Sequence, residues 1–193
     1  MKLADLDMNK LYTYADYYQW KFEERVELIK GVIFKMSPAP SRAHQEISGN
    51  LHISIGVFLK NKPCKVYAAP FDVRLPRKSK DDKDIITVVQ PDICVVCDTN
   101  KLDEKGCLGA PDLIVEVLSP GNNKKEIRNK FDVYEEAGVK EYWIVDPVYQ
   151  TVQINKLENG KYVPMRALSV GDIATSEIMP GFSLDIEELF KGL

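Results

Sequence analysis

PDICVVCDTNKLDEKGCLGAPDLIVEVLSP, residues 91–120, is the stretch that decides how this chain folds. It holds two apolar runs, ICVV from Ile93 and LIVEVL from Leu113, each entered through a Pro-Asp pair. Dense, β-branched runs of this kind predict buried strands covered on both faces by helices. Glu116 stands in the middle of the second run, between Val115 and Val117. An ionised carboxylate withdrawn from water is costly unless it meets a cation or a strong hydrogen-bond donor, so the partner of Glu116 bears directly on function. Strand alternation places Asp112, Ile114, Glu116 and Leu118 on one face and Leu113, Val115 and Val117 on the other. If the run after Asp92 lies beside this strand, Asp92 and Glu116 point at one spot. Two carboxylates that close repel each other unless a divalent cation sits between them, and oxygen ligands favour magnesium or manganese. No metal-binding histidine pair, Walker loop or dinucleotide fingerprint competes, and the chain has only two histidines.

Upstream, Thr13 with Asp16 predicts the start of a short helix carrying Tyr17, Tyr18 and Trp20. RVELIKGVIFKMSP, residues 25–38, reads as strand, tight turn at Lys30-Gly31, and strand. Ser41 is placed to cap a helix whose Ile47, Leu51, Ile55, Phe58 and Leu59 recur at helical spacing, with His44 one turn before Ile47. CKVYAAPFDVRL reads as extended, and PRKSKDDKD as a solvated loop whose aspartates offset lysines that would otherwise suit a phosphate backbone.

Downstream, Asn123 with Glu126 predicts a helix start and Gly138 its end. Its inward stripe is Ile127, Phe131, Tyr134 and Ala137, and Lys130 falls inside that stripe, a poor position for an idle lysine. VKEYWIVDP reads as a core strand, TVQINKLENGKYVP as a hairpin turning at Asn159-Gly160, and DIEELF as a short last helix capped by Asp185. No repeat or linker divides the chain, so one α/β or α+β domain spanning residues 1–193 is expected.

At 193 residues and a net charge of -3, with pI near 5.5, the composition is that of an ordinary globular protein and argues against a general nucleic-acid binder, though not against a local basic groove. The N-terminus lacks an apolar signal segment and no run reaches membrane-span length, which predicts a cytoplasmic protein with no membrane association. Cys64, Cys94, Cys97 and Cys107 are then expected as reduced thiols. Cys94 and Cys97 form a C-x-x-C string, but on a strand their odd separation sends the sulfurs to opposite faces, against a shared metal or redox role.

Taken in order, V-E-L-I-x-G at 26–31, S-P before His44, Q-P-D-I at 90–93, A-P-D-L-I-V-E-V-L-S-P at 110–120 and K-x-x-x-Y-x-x-x-G-V-x-E-Y-W-I-V-D-P at 130–147 closely resemble the Uma-two family of endonucleases. The resemblance covers the chain from about the first helix to the hairpin. It implies a restriction-endonuclease-like fold, a mixed β-sheet flanked by helices, of the PD-(D/E)XK pattern. It also implies metal-dependent hydrolysis of DNA phosphodiester bonds with Mg2+ or Mn2+; since one site per domain handles one strand, a cut across both would suit a homodimer. Carried over by residue, Asp92 resembles the motif aspartate, Glu116 the motif glutamate and Glu27 an additional acid, all three as metal ligands, with His44 as a substrate contact. The departure is Leu118, where the motif lysine would stand; Lys130 resembles a replacement that has moved to the following helix.

Plainer roles exist for the same residues. Asp92 and Asp112 would cap strand ends, Glu116 would pair with Lys130 as a buried ion pair, Glu27 would be a solvated strand residue and His44 an ordinary helix residue. Tyr134, Trp143 and Asp146 read as core and turn residues. The rival functions are a non-catalytic module with this fold and a phosphoesterase for smaller substrates.

Overall fold

The computed structural model describes residues 3–36, 40–119 and 124–193. In chain order, helix α1 (Tyr14–Tyr17) is followed by strands β1 (Val26–Ile29) and β2 (Val32–Lys35), then helix α2 (Arg42–Leu59). Short strands β3 (Lys65–Ala68), β4 (Val73–Arg74) and β5 (Val88–Val89) precede β6 (Ile93–Val96), the hairpin β7 (Leu102–Asp103) and β8 (Gly106–Leu108), and β9 (Leu113–Val117). Helix α3 (Lys124–Ala137) leads to β10 (Glu141–Asp146), β11 (Thr151–Glu158) and β12 (Lys161–Pro164). The ribbon β13 (Ile173–Thr175) and β14 (Ser183–Asp185) and helix α4 (Ile186–Phe190) close the chain.

Local chemistry accounts for most of these boundaries. Thr13 and Asp16 form a reciprocal capping box on α1, and Ser41 accepts the His44 N–H at the head of α2. Lys30 and Gly31 both take positive φ, as do Asn159 and Gly160, giving the tight turns that fit twisted strands. Gly138 ends α3 with φ +86, bonding back to the Tyr134 carbonyl. The expected Asn123 cap lies outside the described residues.

The central sheet has the order β12-β11-β10-β9-β6-β3, with β9 and β10 parallel across α3 and every other pair antiparallel. A second mixed sheet, β2-β1-β5-β4-β8-β7, carries β4 and β8 in parallel. Alternation sorts the central strands onto two cores. Ile93, Val95, Leu113, Val115 and Val117 meet Ile47, Leu51 and Ile55 of α2 and the C-terminal ribbon and helix. Cys94, Val96 and Ile114 meet Val133 and Tyr134 of α3 together with Ile29, Val73 and Val89 of the second sheet. The mixed sheet flanked by helices is therefore present, but only one face is covered by helices and the ribbon; the other is shared between α3 and a second sheet. Beyond the β1–β2 hairpin, that second sheet is assembled from strands too short to carry a periodic signal.

One element is added and one expectation is overturned. The polar segment after Cys97, to which the sequence assigned no element, holds the β7–β8 hairpin, where Gly106 has φ +114 and a Cβ would lie 2.2 Å from the Asp72 carbonyl oxygen. The four cysteines are not all thiols: Cys64 and Cys97 are joined as a disulfide, leaving Cys94 and Cys107 free and buried. The pairing of Lys65 with Val96 brings the residues flanking that pair together, a long-range consequence of register. Cys94 and Cys97 do face opposite cores. Among the described residues no helix is long and apolar enough to cross a membrane.

Candidate active site

Antiparallel pairing of Ile93 with Val115 carries Asp92 alongside Glu116 at the end of the central sheet. Asp92 Oδ2 accepts the Val117 N–H at 2.8 Å and lies 3.3 Å from His44 Nε2 on the first turn of α2. Glu116 turns toward α3. There Lys130 Nζ stands 2.9 Å from Glu116 Oε1 and the Tyr134 hydroxyl donates to the same oxygen at 2.6 Å. The lysine also reaches Glu27 Oε1 of β1 at 3.2 Å, and that oxygen accepts the Gln90 N–H at 2.8 Å. Lys130 is thus clasped by carboxylates from two different sheets, with all three side chains close to fully buried.

Helix pitch explains why Lys130 and Tyr134 both meet one carboxylate: residues four apart share a helix face. Burial pushes the Glu116 carboxyl above the usual range; Lys130 opposes the rise, while Asp92 and Glu27 add to it. Burial acts against the charge on Lys130, but Glu116 and Glu27 outweigh it and hold its ammonium above the ordinary lysine value. His44 is likewise raised: burial disfavours its charge, and the bond to Asp92 and the nearby Glu116 more than compensate.

Asp92, Glu116, Lys130 and His44 line one pocket of about 90 Å³, together with Arg25, Gln90 and Glu126. Glu27 does not line it. Rather than being a solvated strand residue, Glu27 is 3% exposed and directed at Lys130 and the Gln90 amide. Among the described residues, Asp92 Oδ1 and Glu116 Oε2 accept no hydrogen bond, which leaves one oxygen of each beside the pocket for another ligand. No group of three His, Cys, Asp or Glu side chains among the described residues surrounds one point. The donor set fits a hard cation held by Asp92 and Glu116, completed by backbone or water oxygen. Glu27 fits better as the support of Lys130 than as a third ligand.

The remaining acids have structural partners. Asp112, on Glu116's face of the strand but at its other end, accepts the Cys97 N–H at 2.8 Å and pairs with Lys140 at 2.7 Å. Asp146 caps the turn after β10 through the Val148 and Tyr149 amides. Trp143 is fully buried in the core. Three residues around the site have no role in it from sequence reasoning. Tyr134 reads as core, though its spacing from Lys130 is a usable signal. Arg25 carries no signal and Gln90 only its place in the Q-P-D-I string, because β5 and β1 are joined only in the tertiary structure.

A family model described as "Putative restriction endonuclease", the Uma2 family, matches residues 14–187. Among solved structures, the chain is similar to a protein described as a "putative nuclease belonging to DUF820" from Anabaena variabilis ATCC 29413. The TM-score is 0.71 at 20% identity, over 93% of this chain and 97% of that one, so the two share a fold. No curated protein matches the chain in sequence.

Proposed function

The chain belongs to the Uma2 family, and from that membership together with its acidic pocket we propose that it is a metal-dependent endonuclease hydrolysing DNA phosphodiester bonds. The observation that carries this reading is Lys130: absent from the motif position at Leu118, a lysine nevertheless stands 2.9 Å from Glu116, beside Asp92 in one pocket.

Asp92 and Glu116 would hold a magnesium or manganese ion. When bound, such an ion neutralises charge growing on the phosphate and acidifies a water molecule. Lys130, kept protonated by Glu116 and Glu27, is an ammonium at neutral pH. It therefore serves as a hydrogen-bond donor to the attacking water or the phosphate oxygen and not as the base. Glu27 fixes its position, and Tyr134 fixes the orientation of Glu116. Arg25, exposed beside the pocket, supplies donors for the phosphate, while His44, buried with its Nε2 on Asp92 Oδ2, holds that carboxylate in place. Cutting both strands with one site per chain calls for two copies, so a homodimer is part of the proposal.

Supercoiled plasmid incubated with Mg2+ or Mn2+ tests the reading. Wild-type protein should nick it and Asp92→Ala should not. Equal nicking by both would trace the activity to a contaminant, and none by either would leave a non-catalytic module. Calorimetry should show divalent-ion affinity lost in Glu116→Gln; unchanged affinity would remove the metal site.

A further inference from the structure

The acidic pocket does not end at Arg25. On the other side of Arg25 and Gln90, which line both spaces, opens a groove of about 310 Å³ walled by Trp20 and Phe22 and rimmed by Glu23 and Glu24. The Trp20 and Phe22 rings lie 5.5 Å apart at 28°, and Trp20 is braced edge-on by Tyr12 at 5.2 Å, so the aromatic wall is set before anything binds. Arg25 at the junction is exposed. It donates to Gln90 Oε1 at 3.2 and 2.6 Å and, among the described residues, pairs with no carboxylate. Gln90 in turn is held by Asp72 at 2.8 Å and by the Tyr17 hydroxyl at 3.1 Å, which keeps the partition between the two spaces in place.

The chemistry of the groove suits a base and not a phosphate. Aromatic faces stack on any nucleobase, whereas Glu23 and Glu24 repel a phosphate and accept from base N–H groups. A cation between this groove and the acidic pocket matches the phosphate that joins two successive nucleotides. We propose that the groove receives one unpaired nucleobase of the substrate strand, next to the phosphodiester in the acidic pocket, with Arg25 on the intervening phosphate. In a duplex that base face is already stacked on its neighbour, so the preferred substrate is single-stranded or locally melted DNA. The inference rests on the nuclease reading.

The protein carries its own probe. It has two tryptophans, and Trp143 is fully buried, so any quenching of emission by a stacked base reports Trp20. In EDTA, where nothing is cut, a short oligothymidylate should quench that emission. An abasic strand of equal phosphate count and a blunt duplex should not. Phe22→Ala should weaken oligothymidylate binding by about 5- to 150-fold while Trp20 still reports. Quenching by the abasic strand or the blunt duplex as strong as by oligothymidylate, or unaltered affinity in Phe22→Ala, would overturn the proposal. Since Asp92→Ala nicking reports on the acidic pocket and quenching in EDTA on the groove, failure of one is distinguishable from failure of the other.

Discussion

Replacing Lys130 by methionine keeps most of the side-chain volume and removes, among the described residues, the only cation within bonding distance of both Glu27 and Glu116. With Nζ at 3.2 and 2.9 Å from the two carboxylates, each attraction is about 5–6 kcal/mol at an effective dielectric of 20. The cost of burying the lysine offsets much of this, and removal of one partner from a buried ionic group typically costs about 3–5 kcal/mol. These side chains are too buried for solvent screening to discount the figure. With a urea dependence of about 2 kcal/mol per molar, Lys130→Met should lower the unfolding midpoint by roughly 1.5–2.5 M near pH 8. The loss should depend on pH. The folded pKa of Glu116 is raised above its unfolded value, so this group lowers stability as pH rises through the interval between the two values. Removing the ammonium raises the folded value further, while lysine itself stays charged in the wild type from pH 5 to 8. The difference between the two proteins should therefore shrink substantially at pH 5, and Glu27→Gln in the same background should recover part of the loss at pH 8. Urea titrations at both pH values make the measurement. An equal loss at pH 5 and pH 8 would mean that packing, not charge, is what Lys130 provides.

Thiol titration of the unreduced, denatured protein should find two thiols, Cys94 and Cys107, and reduction of the Cys64–Cys97 bond, separated by 33 residues, should cost about 3–4 kcal/mol by loop-closure entropy; four titratable thiols would refute the bond. Glu141→Ala should cost about 2–4 kcal/mol, since this buried carboxylate takes the Ser176 hydroxyl at 2.9 Å and the Glu177 amide at 2.6 Å. Hydrogen exchange should then accelerate over the ribbon β13–β14, and unchanged protection there would contradict the anchoring role. Gly106→Ala should cost about 1–3 kcal/mol or more, because a Cβ would stand 2.2 Å from the Asp72 carbonyl oxygen; a thermal midpoint equal to wild type would show that the loop gives way freely.

Residue type and spacing were enough for much of what neighbours along the chain govern, though not for the β7–β8 hairpin or for the end of α1 at Tyr17. Thr13 and Ser41 as caps, the Lys30-Gly31 and Asn159-Gly160 turns, the α2 stripe and the two buried runs around Glu116 follow from capping, positive φ and side-chain period. The same alternation marked Glu116 as a buried charge in need of a partner, and helix pitch turned Lys130 inward. What met what was decided only in three dimensions. Lys130 bonds Glu116, 14 residues away in sequence. The Gln90 amide that fixes Glu27 lies 63 residues from it, and Arg25 lies 65 from Gln90. Periodicity says which way a side chain faces and nothing about which distant strand will lie opposite. Glu27 thus became a clasp for the lysine, Cys64 met Cys97, and Arg25 came to stand between an acidic pocket and an aromatic groove.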